Sequence, residues 1–189
     1  MDTLVLEKPT TTTEQLIEKL YQTEDKAEIV NGEIVEFMAT GCEPGIAGGN
    51  IFVSLKMYQR KIKRGIAFGD NIGFIVNLPN RKSFSPDAAY YIGKPTGMKF
   101  LQGAPIFAVE VRSENDYGNK AEKAIAEKRA DYFAAGTDVV WDVDLQSKDV
   151  IKSYARENPG EPRIFRRGEI ADAEPALPKW KMAVNELFD

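Results

Sequence analysis

Ile106-Phe107-Ala108-Val109-Glu110-Val111-Arg112, the Ala-, Glu- and Lys-rich run from Gly118 to Ala135, and Val139-Val140-Trp141-Asp142-Val143 decide the fold of this chain. Strand alternation sets Ile106, Ala108, Glu110 and Arg112 on one face of the first segment and Phe107, Val109 and Val111 on the other. The middle run has no proline and stops at Gly136, a residue suited to the position just past a helix end, so it predicts a helix. The third segment is β-branched and aromatic and predicts a short strand, with Val150 to Tyr154 as its hairpin partner.

Working outward, Ile66 to Leu78 (with internal breaks) and Ser83 to Ile92 read as further strands. Before them, Asn50 to Arg64 predicts a helix that ends at Gly65 and follows a glycine-rich passage from Gly41 to Gly49. Ala27 to Val30 and Glu33 to Phe37 flank Asn31-Gly32, a pair that tolerates positive φ and suits a type I′ hairpin turn. Thr10 to Thr13 offer capping oxygens to a first amphipathic helix over Glu14 to Tyr21. The tail, with Pro159, Pro162, Pro175 and Pro178, predicts irregular structure. The order helix, hairpin, helix, strands, helix, strand implies a mixed α/β sheet with helices on its faces. A doubly wound nucleotide-binding fold is not expected, because neither GxGxxG nor GxxxxGK[ST] occurs.

At 189 residues, 43% of them hydrophobic, the chain is long and apolar enough for one core, so a single domain over 1–189 is expected. No apolar run approaches the roughly 20 residues of a membrane helix. Met1 to Lys8 carries Asp2 and Glu7 and no basic-then-apolar pattern, so no secretion signal and a cytoplasmic location are expected. Cys42 is the one cysteine and there is no histidine, which excludes an internal disulfide, CxxC zinc sites, Ser-His-Asp triads and histidine-ligated metals. Chemistry must come from carboxylates, Lys, Arg, Tyr, Ser or Thr. A net charge of -4 means that binding to nucleic acid would need a local basic face. Lys56, Arg60, Lys61, Lys63 and Arg64, or Arg163, Arg166 and Arg167 in the tail, are the candidates for phosphate contact.

Glu110 sits inside an otherwise apolar strand, where an ionised carboxylate is costly unless a cation or a donor faces it. Arg112, two residues on and on the same face, is the simplest partner. Lys128 is the other: on the third helix, Ala121, Ala124, Ile125, Lys128, Tyr132 and Ala135 share a stripe, with Glu122, Lys123, Glu127 and Asp131 outside it. A lysine in that stripe either snorkels out or sets its ammonium beside a buried acid. Asp87, held after Pro86 at the start of an apolar strand, is a second acid near the sheet. Asp87 and Glu110 could share a hard divalent cation, Mg²⁺ or Mn²⁺, with Lys128 orienting or deprotonating the attacking water or neutralising charge on a pentacovalent phosphate.

At these residues the sequence resembles the PD-(D/E)XK nuclease superfamily and, within it, the restriction-endonuclease-like Uma-two family. The resemblance rests on Glu28-Ile-Val-Asn-Gly-Glu-Ile-Val-Glu-Phe, Ser85-Pro-Asp-Ala-Ala-Tyr, Val109-Glu-Val-Arg-Ser-Glu-Asn-Asp and Glu127-Lys-Arg-Ala-Asp-Tyr-Phe-Ala-Ala-Gly-Thr-Asp-Val-Val-Trp-Asp-Val-Asp. It covers roughly Glu28 to Tyr154, with 155–189 as a C-terminal extension. It implies a restriction-endonuclease-like core, hydrolysis of DNA phosphodiester bonds, a divalent metal at Asp87 and Glu110, and a catalytic lysine moved from the strand, where Arg112 stands, to Lys128. Arg112, Arg60 and Lys61 are then candidates for substrate contact. A further acid is expected from Glu28, Glu33, Glu36 or Glu43, with Glu43 preferred. Where many relatives carry a histidine at the start of the second helix, this chain has Gly45-Ile-Ala-Gly-Gly-Asn. That departure keeps open a catalytically inactive binding or assembly module; a phosphohydrolase acting on nucleotides is a third option. A homodimer would suit cleavage of both strands, with Trp180, Leu187 and Phe188 as its interface.

Overall fold

The computed structural model describes residues 11–189, so the reading of Met1 to Lys8 and the cap offered by Thr10 lie outside the described residues. Helix α1 (Thr13–Leu20) opens with a capping box: Thr12 Oγ1 accepts the Gln15 amide, and Gln15 Oε1 accepts the Thr12 amide. The hairpin of β1 (Ala27–Val30) and β2 (Glu33–Glu36) turns at Asn31 and Gly32, whose φ values of 51° and 77° suit the type I′ turn.

Helix α2 (Cys42–Ile62) starts well before Asn50, which corrects the sequence-based boundary. Gly45, Gly48 and Gly49 are helical, and Pro44 lies in the first turn, where its missing N–H has no intrahelical partner to lose. The glycines lower helix propensity, but burial of Ala47, Ile51 and Leu55 on one stripe outweighs that cost. Gly48 lies against Asp87: a Cβ there would come within 3.7 Å of the Asp87 carbonyl oxygen.

The central sheet contains β3 (Ile66–Phe68), then, past β4 (Phe74–Ile75) and β5 (Ser83–Phe84), β6 (Ala88–Tyr91), and, past β7 (Leu101–Gln102), β8 (Phe107–Val111). After α3 (Asn119–Ala134) come β9 (Val139–Val143), β10 (Ile151–Ala155) and β11 (Asn158–Phe165). Their spatial order is β11-β10-β9-β8-β6-β3; β8 and β9 run parallel, joined through α3, and the other pairs are antiparallel. The fold is therefore a mixed α/β architecture. Among the described residues no helix is long and apolar enough to cross a membrane.

The tail is more regular than its prolines suggest. Pro159 and Pro162 are accommodated on β11, an outer strand of the sheet. A hairpin of β12 (Ile170–Asp172) and β13 (Lys181–Ala183) and a 3₁₀ turn at Val184–Phe188 follow. Trp180 and Leu187 are buried in the cluster that joins α2 to the sheet through Tyr90, Phe107, Val109 and Trp141. Trp180 packs 5.1 Å from Trp141 and 5.6 Å from Phe107, ring centre to ring centre. The expected interface of Trp180, Leu187 and Phe188 is corrected accordingly: the first two fill the core of their own chain. On the opposite face Ala89, Tyr91, Ala108 and Val140 pack with Phe74, Phe84 and Tyr132, beneath α3 and the small sheet β5-β4-β7.

Trp180→Ala is expected to destabilise the protein by about 3–5 kcal/mol in urea unfolding, as a large buried aromatic does; a loss near zero would show the tail to be dispensable to the core.

Candidate active site

The register of the sheet brings the two strand acids together. Ala88 pairs with Val109, and the Asp87 amide donates to the Val109 carbonyl, so one further step sets Asp87 opposite Glu110. Asp87 Oδ2 accepts the Val111 amide at 2.7 Å, which fixes the carboxylate at the end of the ladder. In the parallel pair Glu110 is in turn level with Asp142. Three carboxylates thus lie in a row across β6, β8 and β9, each facing its own cation: Lys26 on Asp87, Lys128 on Glu110, Arg112 on Asp142.

Lys128 points inward from the middle of α3. Its Nζ is 2.8 Å from Glu110 Oε2 and 2.9 Å from Glu28 Oε1, and its side chain is 17% exposed. Glu110 Oε1 accepts the Tyr132 hydroxyl at 2.6 Å. Glu28, 1% exposed on β1, also accepts the Ser85 amide at 2.8 Å and an Arg81 guanidinium N–H. Arg81 extends the network to Asp131 of α3 at 2.8 Å. The Phe37 ring lies 5.6 Å from the Lys128 ammonium and closes one side by a cation–π contact.

Several expectations are corrected here. Arg112 does not partner Glu110: it is buried, and its guanidinium is taken by Asp142, at 2.7 and 2.8 Å, and by Glu122. A guanidinium forked by two carboxylates has few N–H groups left for substrate. Glu43 is exposed in the first turn of α2, and Glu28 is the early acid that joins the cluster. Arg60 and Lys61 are exposed in the last turn of α2, about 18 Å along the helix from Gly48 at 1.5 Å per residue. Arg163 and Arg166 pair with Asp172 and Asp149, and Arg167 stacks on Phe188. Asp131, outside the expected stripe, is half-buried because Arg81 and Asn80 reach it. Lys26, Arg81 and Tyr132 escaped sequence reasoning as site residues; the one signal was that Glu28 lies between two apolar neighbours in a predicted strand, as Glu110 does.

Sharing one ammonium, Glu110 and Glu28 ionise differently. Burial pushes the Glu110 carboxyl up to about 7; Lys128 pulls it down, and the charges of Asp87 and Glu28 push it up. Burial would raise Glu28 as well, but Lys128, Arg81 and the Ser85 amide hold it below the usual carboxylate value. Lys128 is raised although burial alone would lower it, because Glu110 and Glu28 flank it. The ammonium therefore stays protonated across the physiological range.

The cluster carries more acid than base. Glu28, Asp70, Asp87, Glu110 and Asp131 are paired with only Lys26, Arg81 and Lys128, five carboxylates against three cations, which leaves two negative charges when all are ionised. Among the described residues no three His, Cys, Asp or Glu side chains converge on one point, so protein carboxylates would supply at most part of an ion's shell. That suits Mg²⁺, which keeps several waters and takes one or two carboxylates.

The family model described as "Uma2: Putative restriction endonuclease" matches residues 13–185. Among solved structures, a protein of Anabaena variabilis ATCC 29413, described as a "putative nuclease belonging to DUF820", superposes with a TM-score of 0.71 at 12% identity. The match covers 91% of this chain and 96% of that one, and at this identity it speaks for the fold. No curated protein matches the chain.

Glu28→Gln leaves Lys128 and Arg81 short of a counter-charge and is expected to cost about 3 kcal/mol in urea unfolding. The two acids also predict opposite dependences on pH. Folded Glu110 holds its proton more tightly than unfolded, so its contribution to stability is greatest in acid and is lost as pH rises from about 4.5 through about 7. Glu28 holds its proton less tightly, so its contribution is present above the usual value of 4.5 and is lost as pH falls through the lowered one. Carboxyl-carbon NMR should show a Glu110 midpoint near 7 without divalent ions, and the stability of the wild type relative to Glu110→Gln should fall over that interval.

Proposed function

As a chain that belongs to the Uma2 family, this protein acts, we propose, as a divalent-metal-dependent endonuclease that hydrolyses DNA phosphodiester bonds. The observation that carries this reading is the meeting of Asp87, Glu110 and Lys128: two carboxylates set opposite each other by strand register, with the helix ammonium 2.8 Å from the second. Asp87 and Glu110 would hold the ion. They are hard oxygen donors, and the two negative charges left around them once Glu110 is ionised equal the charge of one divalent cation. Such an ion, when bound, polarises a phosphoryl oxygen and lowers the pKa of a coordinated water.

The chain's own groups divide the remaining work. Lys128 serves as a fixed positive charge beside the scissile phosphate and neutralises charge that develops on its oxygens. Neutralisation is favoured over deprotonation of water, because Glu110 and Glu28 keep the ammonium protonated. Glu28 is a positioning residue, buried and anchored by Arg81 and Ser85, which holds Lys128 to the inside of α3. Tyr132 donates to Glu110 Oε1 and orients that carboxylate.

A second reading, a nuclease fold kept as a non-catalytic binding or assembly module, is favoured by one observation: each of the three strand acids already has a cation of the chain upon it. Titration with Mn²⁺ or Mg²⁺ separates the two, since an active site should give a saturable rise in melting temperature and a dead one none.

Asp87→Asn and Lys128→Met are each expected to lower Mg²⁺-dependent cleavage of plasmid DNA at least about hundredfold, the scale of losing one charge-stabilising group. Far-UV circular dichroism should stay unchanged. Undiminished cleavage by both variants would refute the assignment, and turnover of free nucleotides in preference to duplex or single-stranded DNA would redirect it to a phosphohydrolase.

A further inference from the structure

Lys26 stands just before β1 and reaches the start of β6, where its Nζ lies 2.7 Å from Asp87 Oδ1 and 2.6 Å from Asp70 Oδ1. The other oxygen of Asp87 is committed to the Val111 amide. The oxygen that Asp87 has to offer an ion is therefore occupied by a lysine of the same chain. Lys26 differs from Lys128 in where its second acid lies. Lys128 bridges Glu28, 1% exposed, and Glu110, 25% exposed, whereas Lys26 bridges Asp87, 15% exposed, and Asp70, which at 44% is the most open of the four. It can leave Asp87 and still keep a counter-charge. Asp70 is itself held in place, because its Oδ1 also accepts the Asn71 amide at 2.6 Å. The backbone of Lys26 is fixed as well, its carbonyl accepting the Phe37 amide at the open end of the β1–β2 hairpin. Only the side chain need move.

We propose that Lys26 is the resident counter-ion of the metal site: its ammonium neutralises Asp87 while no divalent ion is bound and withdraws onto Asp70 when one binds, so that this exchange sets the affinity for the ion. The proposal rests on the reading of Asp87 and Glu110 as metal ligands. Its physical basis is competition between two cations for one carboxylate oxygen, at side chains mostly shielded from water, where the repulsion between them is screened less than in bulk solvent. Asp70 lowers the cost of the exchange by giving the displaced ammonium a partner of opposite charge.

The test is calorimetric titration of the full chain with MnCl₂ and with MgCl₂, repeated as the metal-induced rise in melting temperature. Lys26→Met removes the competitor and should lower the Kd about tenfold, within the usual range of coupling between neighbouring sites. Asp70→Asn removes the alternative partner and should raise the Kd several-fold, an effect that should vanish in the Lys26→Met background. An unchanged or higher Kd in Lys26→Met overturns the proposal. So does an Asp70→Asn effect of equal size with and without Lys26, which would reflect long-range charge alone; this comparison also decides the matter if Lys26→Met is poorly folded and Lys26→Gln takes its place. Asp87→Asn identifies the site. If wild-type binding is present and lost in Asp87→Asn while Lys26→Met leaves the Kd unaltered, the counter-ion role falls and the metal reading stands. If the wild type shows no Asp87-dependent binding, both fall together.

Discussion

One ammonium shared by two carboxylates, Glu28 buried and Glu110 half-buried, organises this molecule. Lys128 meets Glu28 from the N-terminal hairpin and Glu110 from the central sheet, so a single side chain ties three separate parts of the sequence to one point. Moving such groups out of water costs several kcal/mol per ion, and only close pairing and full hydrogen bonding offset that cost. The surroundings supply both: Arg81 and Ser85 serve Glu28, and Tyr132 serves Glu110. Arrangements of this kind are poor sources of net stability, and a well-packed apolar substitute would often do as well.

The same ions determine how α3 is docked. Tyr132 is the one residue of that helix buried outright. Its charged attachments to the body include Lys128 to two acids, Asp131 to Arg81 and Glu122 to Arg112, beside the packing of Phe133 and the stacking of Arg129 on Tyr154. A helix attached by directional charged contacts has little freedom to slide, since each pair fails within an ångström or two, whereas an apolar stripe tolerates small shifts. Placement of the ammonium relative to the strand acids is thereby set by the docking of the helix itself.

Much of this was legible in the sequence where local rules operate. Strand alternation put Glu110 on the face away from Phe107, Val109 and Val111, and helical periodicity put Lys128 in the inward stripe. The Asn31-Gly32 turn followed from its tolerance of positive φ. What local rules missed was settled by long-range partners. The glycines of α2 suggested a loop, yet burial of Ala47, Ile51 and Leu55 against the sheet made the segment helical. Arg112 shared a face with Glu110, but its guanidinium reaches acids on a neighbouring strand and helix that no spacing in one chain segment could specify. Choosing Glu28 over Glu43 required knowing that the hairpin packs beside β5, where Ser83 bonds the Ile29 amide and Ser85 donates to Glu28. The tail misled through its prolines, which an outer strand can hold and an inner one cannot.

That outer position has a further consequence. An open sheet ends in two rows of unused peptide groups, each a template on which a foreign strand can grow. Here one border is the three-residue β3, too short to nucleate such growth, and the other is β11, where Pro159 and Pro162 delete amide donors. Both borders are thus blunted against edge-to-edge polymerisation.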